Sequence, residues 1–153
     1  MPRYWLFKSE PDAFSIDDLK GSPGGISGWD GVRNYQVRNL LRDEIKSGDR
    51  VIFYHSSVRP PAAVGVCEVV RDGYPDRTDG STDSDPPRWF QVDVAYRSHF
   101  PDPVTLDAMR GMKVLEGLPL LRRGNRLSIT PVGKKEMRAL LRAGGLSPSE
   151  FLE

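Results

Sequence analysis

At 153 residues, with 38% apolar and 28% charged side chains, the chain has the make-up of a soluble globular protein, and its length suits one domain, 1–153, with a real core. No apolar run reaches membrane-spanning length, and the apolar piece of MPRYWLFKSE is cut short by Lys8 and Glu10, so no membrane association and no export are expected and a cytoplasmic location follows. The net charge of +1 conceals a gradient, minus 4 over residues 1–109 and plus 7 over 110–142; the basic part offers a face to phosphates, unless it is simply an unevenly charged solvated surface.

Along the chain, Tyr4 to Lys8 has the aromatic and β-preferring residues of a short strand stopped by Pro11. SIDDL reads as a brief helix with Ser15 as N-cap and Asp18 at the third helical position. KGSPGGISG reads as a flexible loop that delivers Trp29 and Asp30 to a helix start. From Asn34 to Ile45 the apolar residues Val37, Leu40, Leu41 and Ile45 recur at helical spacing. VIFYHS is a strand. In AAVGVCEVVRD, Val64, Val66 and Val70 alternate with Gly65 and Cys67.

The stretch 72–87, with its five aspartates, reads as an acidic surface loop. RWFQVDVAYRSHF is a strand with Phe90, Val92, Val94 and Tyr96 on one side. A short helix capped by Thr105 follows, then a last strand in NRLSITPV. A final helix buries Met137, Leu140 and Leu141 while showing Lys134, Lys135, Arg138 and Arg142, and it stops at Gly144-Gly145. Strands and helices of unequal length without regular alternation predict an α+β domain on a small, strongly bent sheet.

Several chemistries lack their residues. Cys67 is the single cysteine, so no intrachain disulfide forms, and with only His55 and His99 beside it there is no zinc-ligand spacing. His55 and Ser56 are adjacent on a strand and point to opposite faces, so they do not make a base and nucleophile between them. GSPGGISG lacks the Gly-Lys-Ser/Thr ending of a phosphate loop. Neither a metal nor a cofactor is expected, and catalysis is not.

A binding pocket remains. Trp29, Tyr35, Tyr54 and Trp89 are flat rings that suit a ring-shaped ligand, and Ser9, Asp30, Asn34 and Asn39 carry donors and acceptors for its edge. A nucleobase needs that mixture, and one inside duplex DNA must first be flipped out. Arg33, Arg38 and the basic C-terminal segment with Lys134 and Lys135 are the candidates for holding the backbone. The plain alternative is that the rings are core, which suits Phe7 and Phe90 better than Trp29.

The stretches YWLFKSEPDAFSIDDL, WDGVRNYQVRNLLRD, GDRVIFYHSSVRPPAAVGVCEVVRDGYPD, PRWFQVDVAY, PVTLDAMR and LPLLRRGNRLSITPV, in that order, resemble the EVE domain family of the PUA-like superfamily, stand-alone bacterial EVE proteins included. The resemblance implies a PUA-like pseudobarrel, a curved mixed β-sheet flanked by short helices. It also implies a non-catalytic reader that takes a modified base, 5-methylcytosine or an oxidised form in DNA, into a pocket. The ligand-binding or pocket-supporting positions it implies are Ser9, Trp29, Asn34, Tyr35, Asn39, Tyr54, His55, Ser56 and Ser128.

The implied partner is nucleic acid, with a separate effector protein and a monomeric chain. An RNA-binding protein acting on tRNA or rRNA, and an enzyme acting on a base or phosphodiester, stay open as alternatives. Two departures stand out: Thr130 where the family commonly has Gln, and a shorter, more acidic loop before Trp89. Both are expected to bear on which modification is preferred.

Overall fold

The computed structural model describes residues 2–82 and 86–152, so three positions of the acidic stretch, 83–85, lie outside the described residues. Among the described residues the elements run β1 (Tyr4–Ser9), α1 (Ile16–Lys20), β2 (Ile26–Trp29), α2 (Tyr35–Asp43), β3 (Arg50–His55), β4 (Ala62–Pro75), β5 (Phe90–Thr105), α3 (Leu106–Arg110), β6 (Ile129–Val132) and α4 (Lys134–Ala143). The strands form one mixed sheet in the order β2-β5-β4-β3-β1-β6. β1 runs parallel to β3 and antiparallel to β6, and the other pairings are antiparallel.

This α+β arrangement corrects the expected pseudobarrel and its strongly bent sheet. A barrel requires its first and last strands to pair. Among the described residues β2 bonds only to β5 and β6 only to β1, each over four residues, and the sheet stays open with those two strands as its edges.

Alternation along the inner strands divides the apolar residues between two faces. Tyr4 and Leu6 of β1 and Ile52 and Tyr54 of β3 meet α3, α4 and the turns between them through Met109, Leu118, Met137, Leu140 and Leu141. Trp5 and Phe7 of β1 and Val51 and Phe53 of β3 meet α1, α2 and β2 through Ile16, Leu19, Trp29, Val37 and Leu41. The second face carries the candidate site.

The helix starts form as the sequence predicts. Ser15 accepts from the Asp18 amide (3.0 Å) while the Asp18 carboxylate accepts from the Ser15 amide (2.9 Å). Asn34 caps α2 by accepting from Val37 N (3.0 Å), and Thr105 caps α3 through Ala108 N (3.1 Å).

Three expectations are revised. KGSPGGISG is not all loop, because Ile26–Trp29 adds to the edge of β5. The strict alternation expected around Cys67 is interrupted by register shifts between Ala63 and Gly65, Val66 and Cys67, and Val69 and Arg71. As a result Val64 packs on the face of Cys67 and Val69 instead of sharing that of Val66, while Cys67 stays opposite Val66 as expected. Finally, β4 runs on to Pro75 into the stretch expected to be loop. Gly73 permits this, since a Cβ there would run into the Leu41 carbonyl of α2.

Cys67 is fully buried, and burial pushes its thiol pKa well up, which suits a packed small residue rather than a nucleophile.

A buried polar anchor fixes the start of the sheet. Asp49 accepts from Trp5 Nε1 (2.8 Å), Arg3 N (3.0 Å) and Lys46 N (3.0 Å). Replacing it leaves three donors unmatched, one of them the indole N–H of a fully buried Trp5. Asp49→Ala is expected to lower unfolding free energy by about 2 to 4 kcal/mol, read from urea denaturation with the slope unchanged.

Candidate functional site

Where β1 ends, a cavity of about 660 Å³ opens between the β1–α1 connection and the β2–α2 connection. Ser9, Glu10 and Phe14 line one side, Trp29, Asp30, Arg33 and Asn34 the other, and Ser128 closes it from the turn before β6. Its size lies within the range of about 300 to 1,000 Å³ usual for small-molecule sites.

Trp29 is 7% exposed and belongs to both the core and the cavity. Its ring meets Phe7, Phe53 and Phe14 edge-on, with centroids at 5.0, 5.4 and 6.2 Å. Such T-shaped contacts put ring edges against ring faces and fix the indole plane. Core and ligand-facing readings of Trp29 are therefore the same residue seen from two sides.

The chain after Trp29 is held by a carboxylate from the stretch read as solvated. Asp76 is 2% exposed and accepts from Gly31 N (2.8 Å), Arg33 Nη1 (3.1 Å), Thr78 N (2.8 Å) and Thr78 Oγ1 (2.6 Å). Burial alone would raise its pKa. The hydrogen bonds from Thr78, Gly31 and Arg33 outweigh that and hold it at about 2. Gly31 takes φ +78°, a left-handed turn that a side chain would strain, and its N–H thereby reaches the carboxylate. Arg33 also donates to Thr78 Oγ1 (2.8 Å), so its guanidinium is parked at the cavity rim.

The polar groups inside divide into committed and available ones. Ser9 donates to the Phe14 carbonyl (2.5 Å), and the Asn34 side-chain oxygen is used on the helix cap; both are braces. With its oxygen committed, Asn34 keeps its amide N–H₂ as a donor. The carboxylates of Asp30 and Glu10 line the cavity as acceptors.

The structure brings together Ser9, Trp29, Asp30, Arg33, Asn34 and Ser128 and sends the other sequence candidates elsewhere. Tyr54 points into the opposite core beside Leu6 and Ile52. His55 Nε2 accepts from Ile16 N (3.1 Å), so the ring proton sits on Nδ1. Burial lowers the His55 pKa and favours this neutral form, which ties α1 to β3. Ser56 donates its backbone N–H to the Ser9 carbonyl (2.9 Å). Both residues support the β1 end from behind.

Tyr35, Arg38 and Asn39 lie on α2 outside the cavity, with Arg38 Nε donating to Asn39 Oδ1 (2.8 Å). Lys134 and Lys135 begin α4 after β6, whose Val132 pairs with Tyr4; they sit at the far end of β1 from Ser9. The lining residues Glu10 and Phe14 were passed over, although both fall in the KSEPDAF stretch. Asp76 carried no sequence signal, since nothing marks it among its acidic neighbours.

An open mixed sheet with an aromatic and polar cavity at the mouth of its central parallel pair defines a small ligand-binding domain. The family model of the EVE domain matches residues 3–143, and the chain belongs to that family. It is similar to human thymocyte nuclear protein 1, 36% identical over 171 residues that cover 95% of this chain and 76% of that protein. Among solved structures it is similar to a Pseudomonas putida protein at 38% identity and TM-score 0.84, covering 92% of this chain and 99% of the other. It is also similar to human THYN1 in complex with DNA containing 5-methylcytosine, at 33% identity and TM-score 0.85, covering 95% of this chain and 99% of the other.

A depressed carboxyl pKa contributes stability that is present above the unfolded value and lost as pH falls through the folded one. For Asp76 the window runs from 3.8 down to about 2. Asp76→Asn is expected to be less stable than the parent by about 2 kcal/mol at pH 7. The gap should shrink through that window when both are unfolded in urea at a series of pH values; a gap independent of pH would contradict the clamp.

Proposed function

We propose that this chain is a non-catalytic reader that takes a modified cytosine of DNA, 5-methylcytosine foremost, into the cavity walled by Trp29. The carrying observation is the cavity itself, in which a fixed indole stands beside unspent acceptors on Asp30 and Glu10 and the Asn34 amide donor. Human THYN1, similar over nearly the whole chain, has been crystallised with DNA containing 5-methylcytosine, and that supports the same ligand here.

The chemistry suits cytosine. Its N4 amine is a donor and matches a carboxylate, whereas thymine presents O4, an acceptor, at the same place. Asp30 or Glu10 next to O4 leaves two acceptors facing each other. The 5-methyl group adds apolar contact with Trp29 and Phe14, an increment of about 1 to 3 kcal/mol on the scale of a methylene in a pocket.

Backbone contacts come from the rim, where Arg33 stands. Lys134 and Lys135 are too far along β1 to join the same contact. Reading without chemistry leaves the consequence to a separate effector protein, with one chain per site and DNA met in the cytoplasm.

Binding at fixed salt to matched DNAs carrying cytosine, 5-methylcytosine, 5-hydroxymethylcytosine or thymine, with RNA counterparts, tests the reading. The expected result is about a 10- to 200-fold preference for 5-methylcytosine over cytosine. Asp30→Asn with Glu10→Gln should narrow the gap between 5-methylcytosine and thymine. Equal, salt-sensitive binding to every oligomer, unchanged in the double variant, would sink the proposal. A preference for the RNA series would transfer it to the 2′-hydroxyl-bearing strand.

A further inference from the structure

On the far side of Arg33 and Asn34 lies a second hollow, of about 690 Å³, bordered by Tyr35, Arg38, Ser81, Pro87 and Arg88. Its wall includes Tyr35, one ring of an aromatic stack. Tyr35 is 55% exposed and lies on Trp89 with centroids 4.9 Å apart and planes at 27°. The guanidinium of Arg38 stands over Tyr35 at 5.1 Å and that of Arg33 over Trp89 at 5.4 Å. Arg38 is held there by donating to the Arg88 carbonyl (2.8 Å) and to Asn39 Oδ1 (2.8 Å).

A large ring left half in water at a helix start gains less for the fold than a buried one. Stacked on a second ring and flanked by cations, it makes a flat, positively biased platform, the combination that single-stranded nucleic acid uses. Among the described residues of its border, Arg38 and Arg88 outnumber the one carboxylate, Asp79, whereas Arg33 is already paired with Asp76.

We infer that Tyr35 and Trp89 form a second subsite, which stacks the unpaired base next to the one held in the Trp29 cavity, on the same strand, with Arg38 and Arg88 at its phosphate. The inference rests on the reading of the first cavity. Adjacency in sequence supplies the geometry. Arg33 and Asn34 line the first hollow and Tyr35 the second, and consecutive Cα atoms lie about 3.8 Å apart, so neighbouring nucleotides are served by neighbouring residues. Arg33 touches both sites, at the cavity rim and over Trp89. The subsite therefore assigns Tyr35 to a ligand, but to a different base from the one Trp29 meets.

Single-stranded DNA with one 5-methylcytosine, flanked either by ordinary nucleotides or by abasic ones, separates the two sites, because an abasic flank keeps the phosphates and removes the ring. By fluorescence anisotropy at fixed salt, the parent protein is expected to bind the abasic-flanked DNA on the order of tenfold more weakly. Tyr35→Ala should bind both DNAs at that weaker level, Tyr35→Phe should restore the difference, and the ratio of 5-methylcytosine to cytosine should stay that of the parent in both variants. Tyr35 is surface-exposed, and circular dichroism checks that each variant is folded.

A parent that prefers 5-methylcytosine yet is indifferent to abasic flanks overturns the second subsite alone. So does a Tyr35→Ala variant that keeps the abasic penalty. An abasic penalty without any preference for the modified base overturns the cavity reading, and with it the placing of the stacked base next to a read one.

Discussion

The edge-on packing of Trp29 against Phe7, Phe14 and Phe53 is the contact on which both the fold and the site depend. β2 is a four-residue edge strand with hydrogen bonds to β5 alone, and three strands separate it from β1 in the sheet order. What ties it to β1 and β3 is the indole. A strand this short has little else to bury, so the aromatic contacts set where the β2–α2 connection lies. The same ring is the wall of the cavity, and its orientation is settled by the core before any ligand arrives. Preorganisation of that kind lowers the entropy lost on binding.

The second constraint is electrostatic. The turn from Asp30 to Asn34 has few apolar residues to hold it, Val32 being the buried one. A single carboxylate, Asp76, gathers its amide and its arginine. The ion pair with Arg33 is not a surface pair of negligible worth, because its acidic side chain is fully shielded while Arg33 remains partly in solvent. Unpaired, that charge would be costly to bury; with four hydrogen bonds it is satisfied. Asp76 follows Pro75 at the end of β4, so the sheet itself presents the clamp to the cavity rim.

Much of this was legible in the sequence, and the reasons for success and failure are local. Helix caps at Ser15 and Thr105 are set within four residues and are legible in the sequence, as is the alternation in Phe90, Val92, Val94 and Tyr96; the cap at Asn34 is seen only in the structure. β2 was missed because Ile26 to Trp29 follows glycines and has no alternation to show; β5 recruits it. Tyr54 suits a pocket as a flat ring in the FYHS stretch, whereas strand parity sends it to the other face. Sheet closure also depends on partners that no local pattern specifies, and Asp76 looks like any acid of a solvated loop until the fold buries it. The departure at Thr130 is a similar case. It sits opposite Leu6 in β6, one residue from Ile129 of the cavity-side core, so it faces away from the cavity. Its buried hydroxyl has no hydrogen-bond partner among the described residues, which is a cost in stability.

Residues 33–35 carry the densest assignment in the molecule. Arg33 answers to Asp76, to the cavity rim and to Trp89; Asn34 caps α2 with its oxygen and lines the cavity; Tyr35 opens the helix and stacks on Trp89. A helix start is suited to this concentration, since its cap geometry fixes side-chain directions over consecutive residues. The cluster of polar and aromatic side chains in WDGVRNYQVRN thus has two addresses. Its first half, through Asn34, lines the Trp29 cavity, and its second half, from Tyr35, borders the second hollow beside basic side chains. A ligand engaging both must itself place two neighbouring groups on one charged chain, which a nucleic-acid strand does and an isolated small molecule does not.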